Sequence, residues 1–144
     1  MSIETIVEAG YLVAHPIPDR RPVESSWLDL GSDDALIWVT PWLGPSATII
    51  LHRFCTWFKQ GEQFVNISLE DVARSVGLVY TPSTNDRFIK TMQRLELFNL
   101  ISFDPADTPK IWVRTHLTHL PQQFDNRLPA YLANTCPFTN TGTQ

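Results

Sequence analysis

The stretch ISLEDVARSVGLVYTPSTNDRFIKTMQRLELFNLI, residues 67–101, decides how this chain folds. Ser68 is a good helix N-cap with Asp71 three residues on, close to the spacing of a capping box. Leu69, Val72, Ala73 and Val76 then repeat at helical spacing, and small Ala73 allows another helix to approach closely. Gly77 suits the left-handed position that ends a helix, which folds Leu78 back onto the core. Tyr80 to Asn85 forms a turn, and Ser83, Thr84 or Asn85 is expected to cap a longer helix. On that helix Phe88, Met92 and Leu95 share one face, flanked by Ile89 and Phe98. Asp86, Arg87, Lys90, Gln93 and Arg94 take the opposite face, and Leu97 is an apolar exception there. Asn99 can adopt the left-handed conformation that closes the helix. Two helices joined in this way are the core of a helix-turn-helix.

Working outward, Leu100–Phe103 and Ile111–Thr115 alternate as two strands around DPADTPK, a hairpin with a proline-containing turn. Upstream, Gly44-Pro45-Ser46 suits a helix start, with proline at the first position. Ala47, Ile50, Leu51, Phe54, Trp57 and Phe58 follow at helical spacing, ending near Gln60-Gly61. A short strand, Phe64–Ile67, joins this first helix to the second. Ser26–Leu30 and Ala35–Thr40 read as short strands about a GSDD turn, with Trp27, Trp38 and Trp42 covering one side of the core. Glu4 to Ala14 fits either a strand or a short helix, and HPIPDRRP an extended linker. Its basic pair, Arg20 and Arg21, reads as solvated rather than as a minor-groove arm. Beyond the hairpin, Leu117, Leu120, Phe124, Leu128, Tyr131 and Leu132 are spaced to pack a C-terminal helical segment back on the domain.

The expected fold is therefore α+β: a winged helix-turn-helix, with a three-helix core and a β-hairpin wing. It is divided into an N-terminal extension with short strands (1–40), a winged-helix core (41–116), a C-terminal helical segment (117–136) and a disordered tail (137–144).

Composition narrows the function. The 144 residues carry a net charge of -4, which argues against coating DNA non-specifically, since that affinity comes from neutralised phosphates. The acidity is uneven: residues 1–40 hold seven acids and two bases, whereas residues 41–99 hold six bases and five acids. No apolar run approaches the ~20 residues of a membrane span, and the start SIETIVE lacks a signal peptide's basic end and apolar run. Two cysteines, Cys55 and Cys136, make no disulfide framework, and a soluble cytoplasmic protein is expected. His52 and Cys55, or His116 and His119 with distant Cys136, are too few ligands for a metal site. With no glycine-rich phosphate loop and no nucleophile elbow, neither an enzyme nor a cofactor is expected.

The order helix, strand, helix, helix, two-stranded wing resembles the winged-helix superfamily of bacterial regulators. ISLEDVARSVGL looks like its second helix and RLELFNLI like the end of its recognition helix. LGPSATIILHRF, STNDRFIKTMQRLELFNLI and HLPQQFDNRLPAYL are similar to a group of actinobacterial and actinophage winged-helix proteins, over roughly Trp42 to Leu132. The resemblance implies a sequence-specific DNA-binding protein, a transcriptional regulator of bacterial or phage origin, with its third helix in the major groove of double-stranded DNA. By analogy the recognition positions are Thr84, Asn85, Arg87, Lys90, Thr91 and Arg94. Arginine and lysine suit guanine O6 and N7, and asparagine suits adenine. Lys110 and Arg114 lie on or near the wing and can reach backbone phosphate, although Asp104 and Asp107 make its tip a poor anchor. So few cations per protomer favour a homodimer. The alternative is a winged helix that docks on a protein partner without binding DNA, the acidic first forty residues suiting a basic surface.

Overall fold

A computed structural model describes residues 3–118 apart from 19, 20, 25, 62, 84 and 107. The expected C-terminal helical segment beyond Thr118, the tail, Thr84, Arg20, Asp107, His119 and Cys136 lie outside the described residues. Helices and strands mix in one α+β arrangement. The elements are α1 (Ile3–Ala9), β1 (Tyr11–Pro16), β2 (Leu28–Asp29), α2 (Asp33–Trp38), α3 (Thr40–Leu43), α4 (Pro45–Lys59), β3 (Val65–Ser68), α5 (Leu69–Ser75), α6 (Arg87–Leu97), β4 (Ile101–Phe103), β5 (Lys110–Val113) and β6 (His116–Leu117). No helix among the described residues is long and apolar enough to cross a membrane.

The sheet runs in the order β3-β1-β5-β4. β1 pairs antiparallel with β3, Leu12 opposite Ile67, and parallel with β5, Ala14 opposite Ile111. β4 and β5 form the antiparallel hairpin read from the sequence, Ser102 opposite Trp112. Strand alternation sends Leu12, Ala14, Ile101, Phe103, Ile111 and Val113 into the core. On the opposite face His15 lies against Phe64 and Trp112, ring centroids 5.5 and 5.0 Å apart. Glu4–Ala14 therefore holds both of the structures it could take, a short helix and then a strand, with Gly10 at φ 78 between them. His15 and Pro16, assigned to the linker, extend that strand, and β1 lies inside the sheet between β3 and the hairpin.

Ala35–Thr40 is helical, not a strand, and this corrects the reading above. Ala35, Trp38, Val39, Trp42 and Leu43 are the buried positions, at spacings of three, one, three and one. That is the inward stripe of a helix, and it runs through α2 and α3 while Leu36 and Ile37 stay exposed. Trp38 and Trp42 enter the core, but Trp27 is only half-buried, with the Arg21 guanidinium 5.2 Å over its ring. The strand expected at Ser26–Leu30 shortens to β2, which pairs with β6. Next to it Gly31 is a close approach: a Cβ there would lie 3.1 Å from the Cys55 Cβ.

α4 runs through the centre of the core. Ile50, Leu51 and Phe54 are fully buried, as are Phe88, Ile89, Met92 and Leu95 of α6. Burial of such side chains contributes roughly 1.5–3 kcal/mol each. α5 starts as expected, Ser68 Oγ accepting the Asp71 N–H at 3.1 Å. α5 and α6 end alike. Gly77 has φ 78 and the Leu78 N–H donates back to the Ala73 carbonyl; Asn99 has φ 60 and the Leu100 N–H donates to Leu95. Both are six-to-one bonds that satisfy otherwise orphaned helix-end carbonyls.

A polar groove on the outer face of α6

Amphipathicity positions the candidate site. Phe88, Ile89, Met92 and Leu95 turn into the core, so Arg87, Lys90, Gln93 and Leu97 point outward and are exposed. The start of α6 is fixed by Asp86, not by Ser83, Thr84 or Asn85. Its carboxylate accepts N–H bonds from Phe88 at 2.9 Å and Ile89 at 3.2 Å, and its other oxygen accepts the Thr81 N–H at 2.9 Å. Ser83 Oγ instead accepts the Asn85 N–H at 3.1 Å. The acid of the polar face is thus held by backbone N–H groups, and no ion pair ties it to Arg87, Lys90 or Arg94 among the described residues.

Asn85, Arg87, Lys90, Thr91 and Arg94 line one open depression of about 510 Å³. A smaller notch of about 200 Å³ adjoins it through Thr91 and Arg94 and is walled by Leu43 and the start of α4, Gly44 to Ala47. Together they make a groove along α6 bearing three basic side chains, Arg87, Lys90 and Arg94.

The side chains there are not equivalent. Arg87 and Lys90 are exposed and extend outward. Arg94 is held: its Nε donates to the Leu43 carbonyl at 2.9 Å, and its guanidinium sits 5.1 Å over the Phe98 ring, a favourable cation–π distance. Thr91 is 9 % exposed and its hydroxyl donates to the Arg87 carbonyl at 2.9 Å. It forms wall, and its hydroxyl is already committed to the backbone. Leu43 and Phe98, which fix Arg94, were missed by sequence reasoning. The Arg94-to-Phe98 spacing of four on one helix was the available signal for the ring; the Leu43 carbonyl had none.

The hairpin residues stand apart from this groove. The Lys110 ammonium is 5.6 Å over the Trp112 ring, and Arg114 Nε donates to the Asn99 carbonyl at 3.1 Å. Neither lines the depression. At the hairpin tip, the Thr108 hydroxyl, the Ala106 N–H and Lys110 together hold the Asp104 carboxyl below its ordinary range.

Other polar clusters are structural in character. Lys59 at the end of α4 bonds Asp29 of β2, and the Gly31 N–H donates to the same carboxylate at 2.8 Å. Cys55 is buried, its thiol directed at the Arg114 carbonyl at 3.6 Å, and burial pushes its pKa up to about 12. A thiol in that state is a poor nucleophile and a poor ligand. Burial and the adjacent Arg53 lower His52. Among the described residues no three histidine, cysteine or carboxylate side chains group to hold a metal. A second groove of about 320 Å³ lies between α4 and β3, lined by Trp57, Gln60, Phe64, Val65, Asn66 and Ile67. Comparisons with protein families, with curated proteins and with solved structures found no match to this chain.

Proposed function

We propose that this protein is a sequence-specific DNA-binding protein of winged helix-turn-helix type, a transcriptional regulator of bacterial or phage origin that inserts α6 into the major groove. One observation carries the reading: Asn85, Arg87, Lys90 and Arg94 open into a single groove on a helix whose other face is anchored in the core. A rigid helix with exposed cations and an amide at its N-terminal end matches what groove-reading helices need. Arg87 and Lys90 are the side chains suited to guanine, and Asn85 to adenine. The β4–β5 hairpin follows α6 directly, as a wing would, with Lys110 and Arg114 able to approach phosphate.

The test is binding of the purified protein to a pool of genomic fragments at several salt concentrations, beside a folded Arg87→Ala/Lys90→Ala/Arg94→Ala variant. Enrichment of a few fragments, steep loss with salt and loss in the variant support the reading. No enrichment even at low salt ends it.

Leu97 favours a second element of the proposal. It is 76 % exposed on the outer side of α6, where a large apolar side chain is available to a partner surface. We assign it to a homodimer interface, which would double the phosphate contacts of a protomer with few cations. The competing reading, a docking module for another protein, uses the same residue. Sedimentation of the wild type against Leu97→Ser separates them: a dimer that dissociates in the variant supports self-association, and a wild-type monomer favours the docking module.

A further inference from the structure

Three cations on one helix face would ordinarily be given the same role, yet their surroundings divide them. Arg87 and Lys90 are exposed and extend outward from α6. Arg94 is fixed from two sides, by the Leu43 carbonyl at 2.9 Å and by the Phe98 ring at 5.1 Å. With its Nε donated inward, the terminal nitrogens of its guanidinium remain for a ligand, and the residue lines both the groove and the notch at the start of α4.

We infer that this notch is a phosphate seat, with Arg94 its fixed guanidinium, and that Arg94 positions the DNA backbone without reading bases. The inference rests on the DNA-binding reading above and refines it. A base-reading arginine must extend from its helix to lay two nitrogens along a guanine edge. Arg94 would have to give up its bond to Leu43 and its place over Phe98 to do so. A phosphate oxygen entering from the groove needs neither change, because a planar guanidinium with one edge donated inward still offers donors on the other. The notch is also small: about 200 Å³ against about 510 Å³ for the groove. That is room enough for one tetrahedral anion beside Arg94. The bond to a main-chain carbonyl orients Arg94 in advance, so little side-chain freedom is lost when the anion arrives.

Two experiments separate failure of this inference from failure of the DNA reading. In the first, wild type, Arg94→Lys, Arg94→Ala and Lys90→Ala bind a fragment selected from the genomic pool and a scrambled duplex of the same length, across a series of salt concentrations. Folding of each variant is checked by circular dichroism. Arg94→Ala is expected to weaken both duplexes by the same factor and to reduce the slope of log affinity against log salt by about 0.9, one phosphate contact. Arg94→Lys keeps the charge but loses the fork, and should fall between. Lys90→Ala should narrow the gap between the two duplexes. A change of sequence preference in Arg94→Ala, or an unchanged salt slope, overturns the inference while leaving the DNA reading in place. In the second, inorganic phosphate is titrated into the ¹⁵N-labelled protein and followed by NMR. Saturable shifts at Arg94 Nε and at the Ser46 and Ala47 amides, with the amide shifts lost in Arg94→Ala, support the seat even if no DNA is bound. No shift at these positions overturns it.

Discussion

Asp86 uses both carboxylate oxygens to start α6, bonding Phe88 and Ile89 with one and Thr81 with the other. A single helix cap is worth about 1 kcal/mol, within a range of roughly 0.5–2. Asp86→Ala removes the Thr81 acceptor as well, so it should destabilise by about 1–2 kcal/mol, measured as a shift of the urea unfolding midpoint. Asp86→Asn retains acceptor capacity and should lose less. Sequence alone could not single out this residue, because Ser83, Thr84, Asn85 and Asp86 stand in succession and all four types cap helices. The choice falls to the residue whose backbone is extended one step before the helix, and Asp86 has φ -61 and ψ 142. Asn99 and Gly77 were readable for the opposite reason. Each is an isolated residue tolerant of positive φ, at the end of a helical repeat. Thr91 shows the limit of analogy: it was assigned a recognition position, but burial and its bond to the Arg87 carbonyl leave it as groove wall with its hydroxyl already committed.

Packing explains which elements could be read from pattern. α4, α5, α6 and the β4–β5 hairpin each carry a local signal, a stripe or an alternation bounded by a cap or turn residue. The helices at Asp33–Leu43 carry one too, but the apolar run ALIWV also satisfies strand propensity, and only the burial of Trp42 and Leu43 extends the pattern far enough to decide. β1 could not be placed from sequence, because its partners, β3 and β5, are some fifty and a hundred residues away. Its position has a testable consequence. Leu12 and Ala14 are fully buried, and removal of residues 1–16 would leave β3 and the hairpin as two unpaired edges around an open core. The shortened chain is expected to lose cooperative thermal unfolding and to aggregate. A sharp unfolding transition close to that of the full chain would show that β1 is a dispensable extension.

The core closes over a group that reports on its opening. Cys55 is 2 % exposed with its pKa pushed up to about 12, so its thiolate is scarce and sheltered near neutral pH. In a Cys136→Ser background, iodoacetamide should label the native protein slowly at pH 8. The rate should rise with urea in parallel with global unfolding, as expected for a site reached only through the largest opening. Rapid labelling without denaturant would mean that the joint between α4 and the β2–β6 pair opens locally.

Stability against pH follows from how the folded protein binds protons. Burial and then the Lys110 charge lower the pKa of His15, and burial chiefly lowers that of His52. Both rings therefore take up protons less readily in the folded protein than in the unfolded chain, which does so near its ordinary value of about 6.5. Their contribution is complete above that value and is lost as pH falls through and below it. Asp29 supplies a second, lower step. Burial pushes its carboxyl up, but the Lys59 hydrogen bond, the Gly31 N–H and the nearby charges outweigh this and leave it below the ordinary value. Its contribution is present above about 3.9 and declines as pH falls below that value. Urea unfolding midpoints between pH 8 and pH 3 should therefore fall in two stages, the first beginning near 6.5 and the second below about 3.9. His15→Phe keeps a ring against Phe64 and Trp112 and should reduce the first stage. Lys59→Met removes the chief partner that lowers Asp29, so the second stage should shrink and the Asp29 carboxyl should titrate at higher pH by NMR. A midpoint that stays constant from pH 7 to pH 5 would rule out the histidine contribution, and an Asp29 titration unmoved by Lys59→Met would rule out the ion pair as its cause.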